Sequence, residues 1–543
     1  MDNIRLILFI LLSFISLLLW EAWQRDYGPQ SAAPAAATAP TTSDAPAIDR
    51  AASKDLPRPT PPPSPPAAPA AVPAGQVISV ETDLFHAEIS TVGAVIRKLS
   101  LKHYPQSIEK GAPLFDLLAA DETRLLVAQS GMKTDGEGPD HYAQYAAAAP
   151  RFALAAGADT LPVEFTWRNA DGVEVVRRYV FKRGSYEIAQ EFEIRNHSGA
   201  VWKAHPYDQL QKQQMKSSRS VTPTFTGAAL SSPENKYEKF KLEDLAEEPI
   251  DRDVTGGWAA LVEHYFVAAL IPAADAPQHY YSTAIGENRY VLGYYGAEIA
   301  VPPGETRSLA SRLYAGPKLQ EVLPAVAPGL ELTVDYGKLW FIAKALFWWL
   351  ETLHRLFGNW GVAIILLTLT VKLLFYPLSA AGYRSMAKMR KVQPRLMQLK
   401  ERFGKDRAAM NQAMMELYKT ERINPLGGCL PIVVQIPVFI ALYWVLLESV
   451  ELRQAPFWLW IRDLSIKDPY FVLPVLMTAS MWLQSKMNPP PLDPIQAKVM
   501  QIMPLAFGVF FAFFPAGLVL YWFVNNVLSI AQQWYITKQS EAA

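Results

Sequence analysis

The sequence predicts a two-part fold: a large antiparallel β-sandwich and a multi-pass α-helical membrane region of six spans, the last five forming one helical core. Three observations carry this. Residues from about Val77 to about Leu323 alternate with period two; five long apolar stretches follow Pro328; and a strongly basic segment separates the first two of those stretches.

Composition narrows the function before any motif is considered. Half of the 543 residues are apolar, and 51 Lys plus Arg balance 51 Asp plus Glu. Such a balance argues against a DNA-binding protein working through bulk positive charge, and against a disordered polyelectrolyte. One cysteine in the chain makes no internal disulfide and no multi-thiolate metal site. No metal ligand set or cofactor motif is present, so none is expected.

The first apolar block runs from Ile4 to Trp20. It exceeds the usual signal-peptide core of about 7 to 15 residues and lacks a tight small-x-small site, so residues 1–27 read as a retained signal anchor. Residues 28–75 are almost all Ala, Pro, Ser and Thr, too poor in apolar bulk to fold, and read as an extended linker.

Residues 76–330 read as the sandwich. VEVVRRYVFKRGSYEIAQEFEIRN sets Val175, Arg177, Tyr179 and Phe181 on one face, Val176, Arg178, Val180 and Lys182 on the other, around a Gly184-Ser185 turn. VISVETDLFHAEIS, WAALVEHYFVAALI and RYVLGYYG read as further strands. Glu263 and His264, neighbours on an expected strand, should face opposite ways, and His264 is expected to be structural.

Residues 331–358 read as an interfacial amphipathic helix, with Leu339, Ile342, Leu346, Leu350, Leu353 and Phe357 on one side and Lys344, Glu351 and Arg355 on the other. Residues 359–378 read as the second span. The four further spans of residues 429–540 cover roughly Leu430–Leu447, Tyr470–Leu483, Val499–Phe514 and Gly517–Ile536. The intervening loop, residues 379–428, holds eleven bases against four acids, which places it in the cytoplasm. Both termini then lie inside and the sandwich outside. The loop reads as a helical hairpin in which Gly404 caps one helix before Asp406 begins the next. Six of fourteen methionines lie there: Met386, Met389, Met397, Met410, Met414 and Met415. Some are expected to zip the hairpin and others to offer a soft surface for varied apolar partners.

Polar groups inside the spans should face one another or water. Thr368 and Lys372 lie one turn apart on the second span, Gln435 is near the inner end of the third, and Tyr521, Asn525 and Gln532 share a face of the last, flanked by Asn526 and Gln533. Lys372 either snorkels to the inner interface or lines a hydrated cavity open to the cytoplasm. No inverted repeat or paired acid favours an ion-coupled transporter.

GNWGVAIILLTLTVKLLFYPL, YRSMAKMRKVQP, INPLGGCLPIVVQIPVFIALYWVLLESVELRQAPFWLWIRDLS and FFPAGLVLYWFVNNVLSIAQQ resemble the YidC membrane-protein insertases of the Oxa-type superfamily, the type with a large periplasmic domain. The resemblance implies an inner-membrane protein that is not an enzyme. It would insert, fold and help assemble nascent membrane proteins, alone or with the Sec translocon, through a groove open to cytoplasm and lipid. It places Lys372 where the family more often has arginine, puts Thr368, Gln435, Tyr521 and Trp522 along the groove, and gives the sandwich a mutarotase-like fold used for binding or scaffolding. Ribosome contact would rest on the hairpin and the loop around Met487–Lys498, because Lys538 is the only base in the short tail. A secondary transporter and a membrane-anchored carbohydrate-binding or carbohydrate-modifying protein are the alternatives.

Overall fold

The computed structural model describes residues 75–121, 124–214, 224–286, 288–404, 406–421, 430–488 and 494–542. The described residues all belong to one compact unit. The expected anchor, residues 1–27, and all of the expected linker but Gly75 lie outside them.

Period-two burial builds two sheets, of eleven and nine strands. Their pairings are antiparallel, except where Val77–Glu81 runs parallel to Arg151–Ala153. The expected hairpin forms from Val173–Lys182 and Glu187–Asn196, in register from Ile188 opposite Phe181 to Asn196 opposite Val173. Gly184 takes the left-handed conformation that its turn needs, φ +68°. Val175, Arg177, Tyr179 and Phe181 all point into the core. The arginine is accommodated there because Nη1 donates to the carbonyls of Gly93 (2.7 Å) and Ser130 (3.2 Å), and its plane lies over the Tyr179 ring at 4.6 Å.

Trp258–Val262 and Phe266–Ile271 are buried throughout, as continuous apolar strands require. Glu263 and His264 lie in the turn between them, not on a strand, so alternation does not govern them. Glu263 accepts from Arg124 (2.7 Å) and Lys212 (2.8 Å); burial pushes its carboxyl up, but the two cations outweigh burial and hold it below the usual range.

Eight helices of eight or more residues follow among the described residues: α1 Trp340–Phe357, α2 Trp360–Leu374, α3 Tyr376–Phe403, α4 Arg407–Thr420, α5 Leu430–Glu448, α6 Val472–Met487, α7 Pro494–Phe511 and α8 Ala516–Ala542. Helix α1 buries Ala343, Phe347, Leu350 and Leu353 against α2 and α5 and exposes Trp340, Phe341, Trp348 and Leu356. Phe357, expected on the buried side, is 57% exposed, because the helix stops there at Gly358 (φ +68°) and the chain turns into α2. Asn359 starts α2 by accepting from Val362 N at 3.0 Å.

The sequence reads one helical span as far as Leu378. In the structure the chain bends by 67° at Phe375. Pro377 sits in the first turn of α3, where its missing N–H costs nothing, whereas a continuous helix would lose a hydrogen bond there. Asp406 caps α4 by accepting from Ala408 N and Ala409 N, each at 3.0 Å. Gly404 ends α3 as expected, at φ −48° in the right-handed region.

No single described helix is long and apolar enough to cross a membrane; α2 and α3 reach that measure only as a bent pair, and Val433–Glu448 and Ala497–Phe511 are shorter apolar helices. Helix α8 is central and packs on α2, α3 and α6. Helices α6 and α7 meet closely at Gly508, where a Cβ would lie 2.0 Å from Thr478 Oγ1.

The sandwich and the helices are bonded to each other at the C-terminal end of α5. Lys318 Nζ lies 3.0 Å from Glu448 Oε2, His264 Nε2 donates to the Leu447 carbonyl at 2.8 Å, and Arg453 and Gln454 both donate to the Pro105 carbonyl, at 2.7 and 2.8 Å.

Candidate functional site

The polar residues of the helical region converge on a cavity of about 380 Å³ bounded by α2, α3, α5, α6, α7 and α8. Lys372, in the last turn of α2, is 5% exposed. Its Nζ donates to Ser529 Oγ on α8 at 2.7 Å and reaches Gln435 Oε1 on α5 at 3.5 Å. Gln435 Nε2 in turn donates to Asn525 Oδ1 at 2.6 Å, tying α5 to α8. The polar cluster therefore joins three helices through amide, hydroxyl and ammonium groups.

Among the described residues no Asp or Glu lines this cavity. A cation held by neutral dipoles alone keeps an unspent attraction for an incoming carboxylate. That attraction is greatest where water is scarce, and Lys372 is almost wholly covered.

Helix α5 ends beside the sandwich, and toward that end the cavity becomes aromatic. Phe439 on α5 packs on Trp522 at 4.6 Å, and Phe511 on α7 packs on the same ring at 5.4 Å. Segment 449–471 is tied to the start of α8: Ala516 N donates to the Ile466 carbonyl at 2.7 Å and Gly517 N to the Leu464 carbonyl at 2.9 Å. Met386, Met481, Met500 and Met503 supply the soft part of the wall.

Of the residues singled out from sequence, Lys372, Gln435, Tyr521, Trp522, Asn525, Asn526 and Met386 line the cavity, with Gln533. Thr368 does not: it is 1% exposed and its hydroxyl donates back to the Ile364 carbonyl at 2.7 Å. Gln532 stands behind the wall, its Nε2 3.5 Å from the Lys372 carbonyl. Met389 and Met414 pack on Val392 and Leu396 and zip α3 to α4, Met410 is half-buried, and Met397 and Met415 face outward. Sequence reasoning missed Ser529, Ser379 and Tyr383. Ser529 was within reach, since it lies one turn beyond Asn525 on the same face of α8; Tyr383 arrives across the bend at Phe375, which no helical period announces.

A β-rich domain is thus followed by apolar helices around a polar cavity that holds a buried cation. Residues 77–349 match the family described as YidC periplasmic domain, and residues 352–543 match the 60Kd inner membrane protein family. The membrane protein insertase YidC of Methylobacillus flagellatus is 48% identical over 544 residues, covering 100% of this chain and 98% of the relative. That of Methylococcus capsulatus is 49% identical over 549 residues, covering 100% and 99%. An active YidC insertase crystal structure with its first transmembrane domain resolved covers 85% of this chain and 95% of that one at 17% identity and a TM-score of 0.38. The chain belongs to the YidC membrane protein insertase family.

Proposed function

We propose that the chain inserts and helps to fold nascent integral proteins of the bacterial inner membrane, alone or with the Sec translocon, without making or breaking a covalent bond. The N-terminal block and α2, α5, α6, α7 and α8 serve as its six spans, the last five forming the core. The basic hairpin of α3 and α4 and both termini lie in the cytoplasm, and the sandwich lies in the periplasm as a binding or scaffolding domain. Bent or short spans are accommodated by tilting and by local thinning of the bilayer.

An apolar nascent segment first meets the exposed methionines of the hairpin, near the ribosome and the anionic lipid surface that its bases favour. The polar flank then enters the groove, and acidic flanks are drawn to Lys372. The apolar segment leaves between α5 and α7 into lipid, and burial of its own surface together with the membrane potential drives the step. The observation that supports this reading best is Lys372 held by Ser529 and Gln435 in a cavity that no carboxylate lines among the described residues.

The test is insertion of a substrate with an acidic translocated flank into vesicles from cells depleted of other insertases. Lys372→Met is expected to lower insertion about tenfold, equivalent to about 1.4 kcal/mol, while Lys372→Arg retains it. Wild-type insertion by Lys372→Met would remove the groove cation from the mechanism.

A further inference from the structure

The sandwich bonds directly to a groove helix at the end of α5. Lys318, just past the last strand of the sandwich, and Glu448, the last residue of α5, are 1% and 3% exposed in their side chains and form an ion pair of 3.0 Å. Lys318 Nζ also donates to the Thr333 carbonyl at 3.1 Å. Around this pair the last turn of α5 is bonded again: His264 takes the Leu447 carbonyl, and the Tyr336 hydroxyl lies 3.4 Å from Ser449 Oγ, which itself donates to the Val445 carbonyl. A helix leaves its last carbonyls without intrahelical partners, so bonds placed there fix its end in direction as well as in position.

At its other end α5 carries Gln435, thirteen residues and about 20 Å from Glu448 at 1.5 Å per residue. Gln435 bridges Lys372 and Asn525. The facing wall meets the sandwich at one remove: α8 is bonded to other helices and, at Ala516 and Gly517, to segment 449–471, whose Arg453 and Gln454 hold the Pro105 carbonyl. A buried ion pair is a poor source of stability, because an apolar pair of similar volume commonly serves as well or better; what it adds is a directional bond that is costly to break singly.

We infer that Lys318 is a positioning residue for insertion: through its buried pair with Glu448 the sandwich fixes the end of α5 and thereby the place of Gln435 in the groove. The inference rests on the groove reading proposed above. It makes the sandwich a determinant of groove geometry, acting from outside the groove.

The test uses the full chain in inner-membrane vesicles, in a Cys429→Ser background. Gln435→Cys and Asn525→Cys are introduced together, and the rate of joining by a short bis-methanethiosulfonate reagent reports the α5–α8 alignment; insertion is measured in matched vesicles that keep Gln435 and Asn525. Lys318→Met and Glu448→Gln are each expected to lower both rates about fivefold, and Lys318→Arg to keep both within about twofold. The double variant Lys318→Met/Glu448→Leu separates position from stability. It should unfold at the wild-type temperature yet crosslink slowly. Wild-type crosslinking in the single variants, or recovery of crosslinking together with stability in the double variant, would overturn the inference. Insertion that ignores Lys372→Met in the same vesicles would instead defeat the groove reading, while the crosslinking rates still decide whether Lys318 positions α5.

Discussion

Trp522 Nε1 is buried and has no hydrogen-bond acceptor among the described residues, although the ring packs between Phe439 and Phe511. A buried donor left unbonded costs about 1–3 kcal/mol, and a protein that retains one at a cavity wall has a donor to offer to what enters. Trp522→Phe is therefore expected to leave the unfolding temperature unchanged or higher and to lower insertion about threefold for substrates with polar flanks. Equal losses of stability and insertion would assign the ring a packing role alone. At this scale the sequence was informative where period and chemistry coincide: Lys372, Gln435 and the polar face of α8 follow from counting turns. It was uninformative where a hydroxyl has two choices, as for Thr368, whose back-bond to Ile364 satisfies it within its own helix.

Between elements, the turn at residues 263–265 and the short 3-10 turn Val450–Leu452 carry two groups with opposite pH responses. Burial pushes the Glu451 carboxyl up to about 7, and burial pulls His264 down to about 4, against its bond to the Leu447 carbonyl. A raised carboxyl contributes stability that is complete below its unfolded value near 4.5 and is lost as pH rises through 7. A depressed imidazole contributes stability that is complete above its unfolded value near 6.5 and is lost as pH falls through 4. Each effect is at most about 3 kcal/mol, and over about pH 4.5–6.5 they oppose each other. Thermal unfolding of the purified protein should therefore depend little on pH in that window. Glu451→Gln should unmask stability that rises with pH, and His264→Gln stability that falls with it; parallel slopes in the two variants would refute the assignment. Neither group could be placed from sequence. Strand alternation put Glu263 and His264 on opposite faces, but a turn sets its own directions, and the partner of His264 lies 183 residues away. The strand hairpin at Gly184 was legible because apolar residues dominate one face of both strands, Val175, Tyr179 and Phe181 on the first and Ile188, Phe192 and Ile194 on the second. The bend at Phe375 was hidden by continuous apolar sequence on both sides of it, with Pro377 its only marker.

Across the whole molecule, the formal net charge of zero conceals a division. Residues 379–428 carry eleven bases and four acids, so the rest of the chain carries 40 bases and 47 acids. On the proposed topology this separates a basic cytoplasmic face from an acidic remainder, which orients the chain in the membrane. The same orientation puts the aromatic, sandwich-side end of the groove outward and Lys372 toward the cytoplasm. The division into β-rich and helical parts was legible because period two gives way to apolar blocks after Pro328. The bonding of the two parts at Lys318 and Glu448 was not, since single residues 130 apart in the chain form no pattern. Passage of nascent chains through the groove underlies the proposed function. It is tested most directly by site-specific photocrosslinking of a stalled nascent membrane protein, with the photoreactive group placed at Gln435 and Asn526 in the cavity and at Leu356 on the exposed side of α1. Adducts are expected at Gln435 and Asn526, falling sharply with Lys372→Met, and none at Leu356; adducts equally strong at all three positions, or indifferent to Lys372, would rule out passage through the groove.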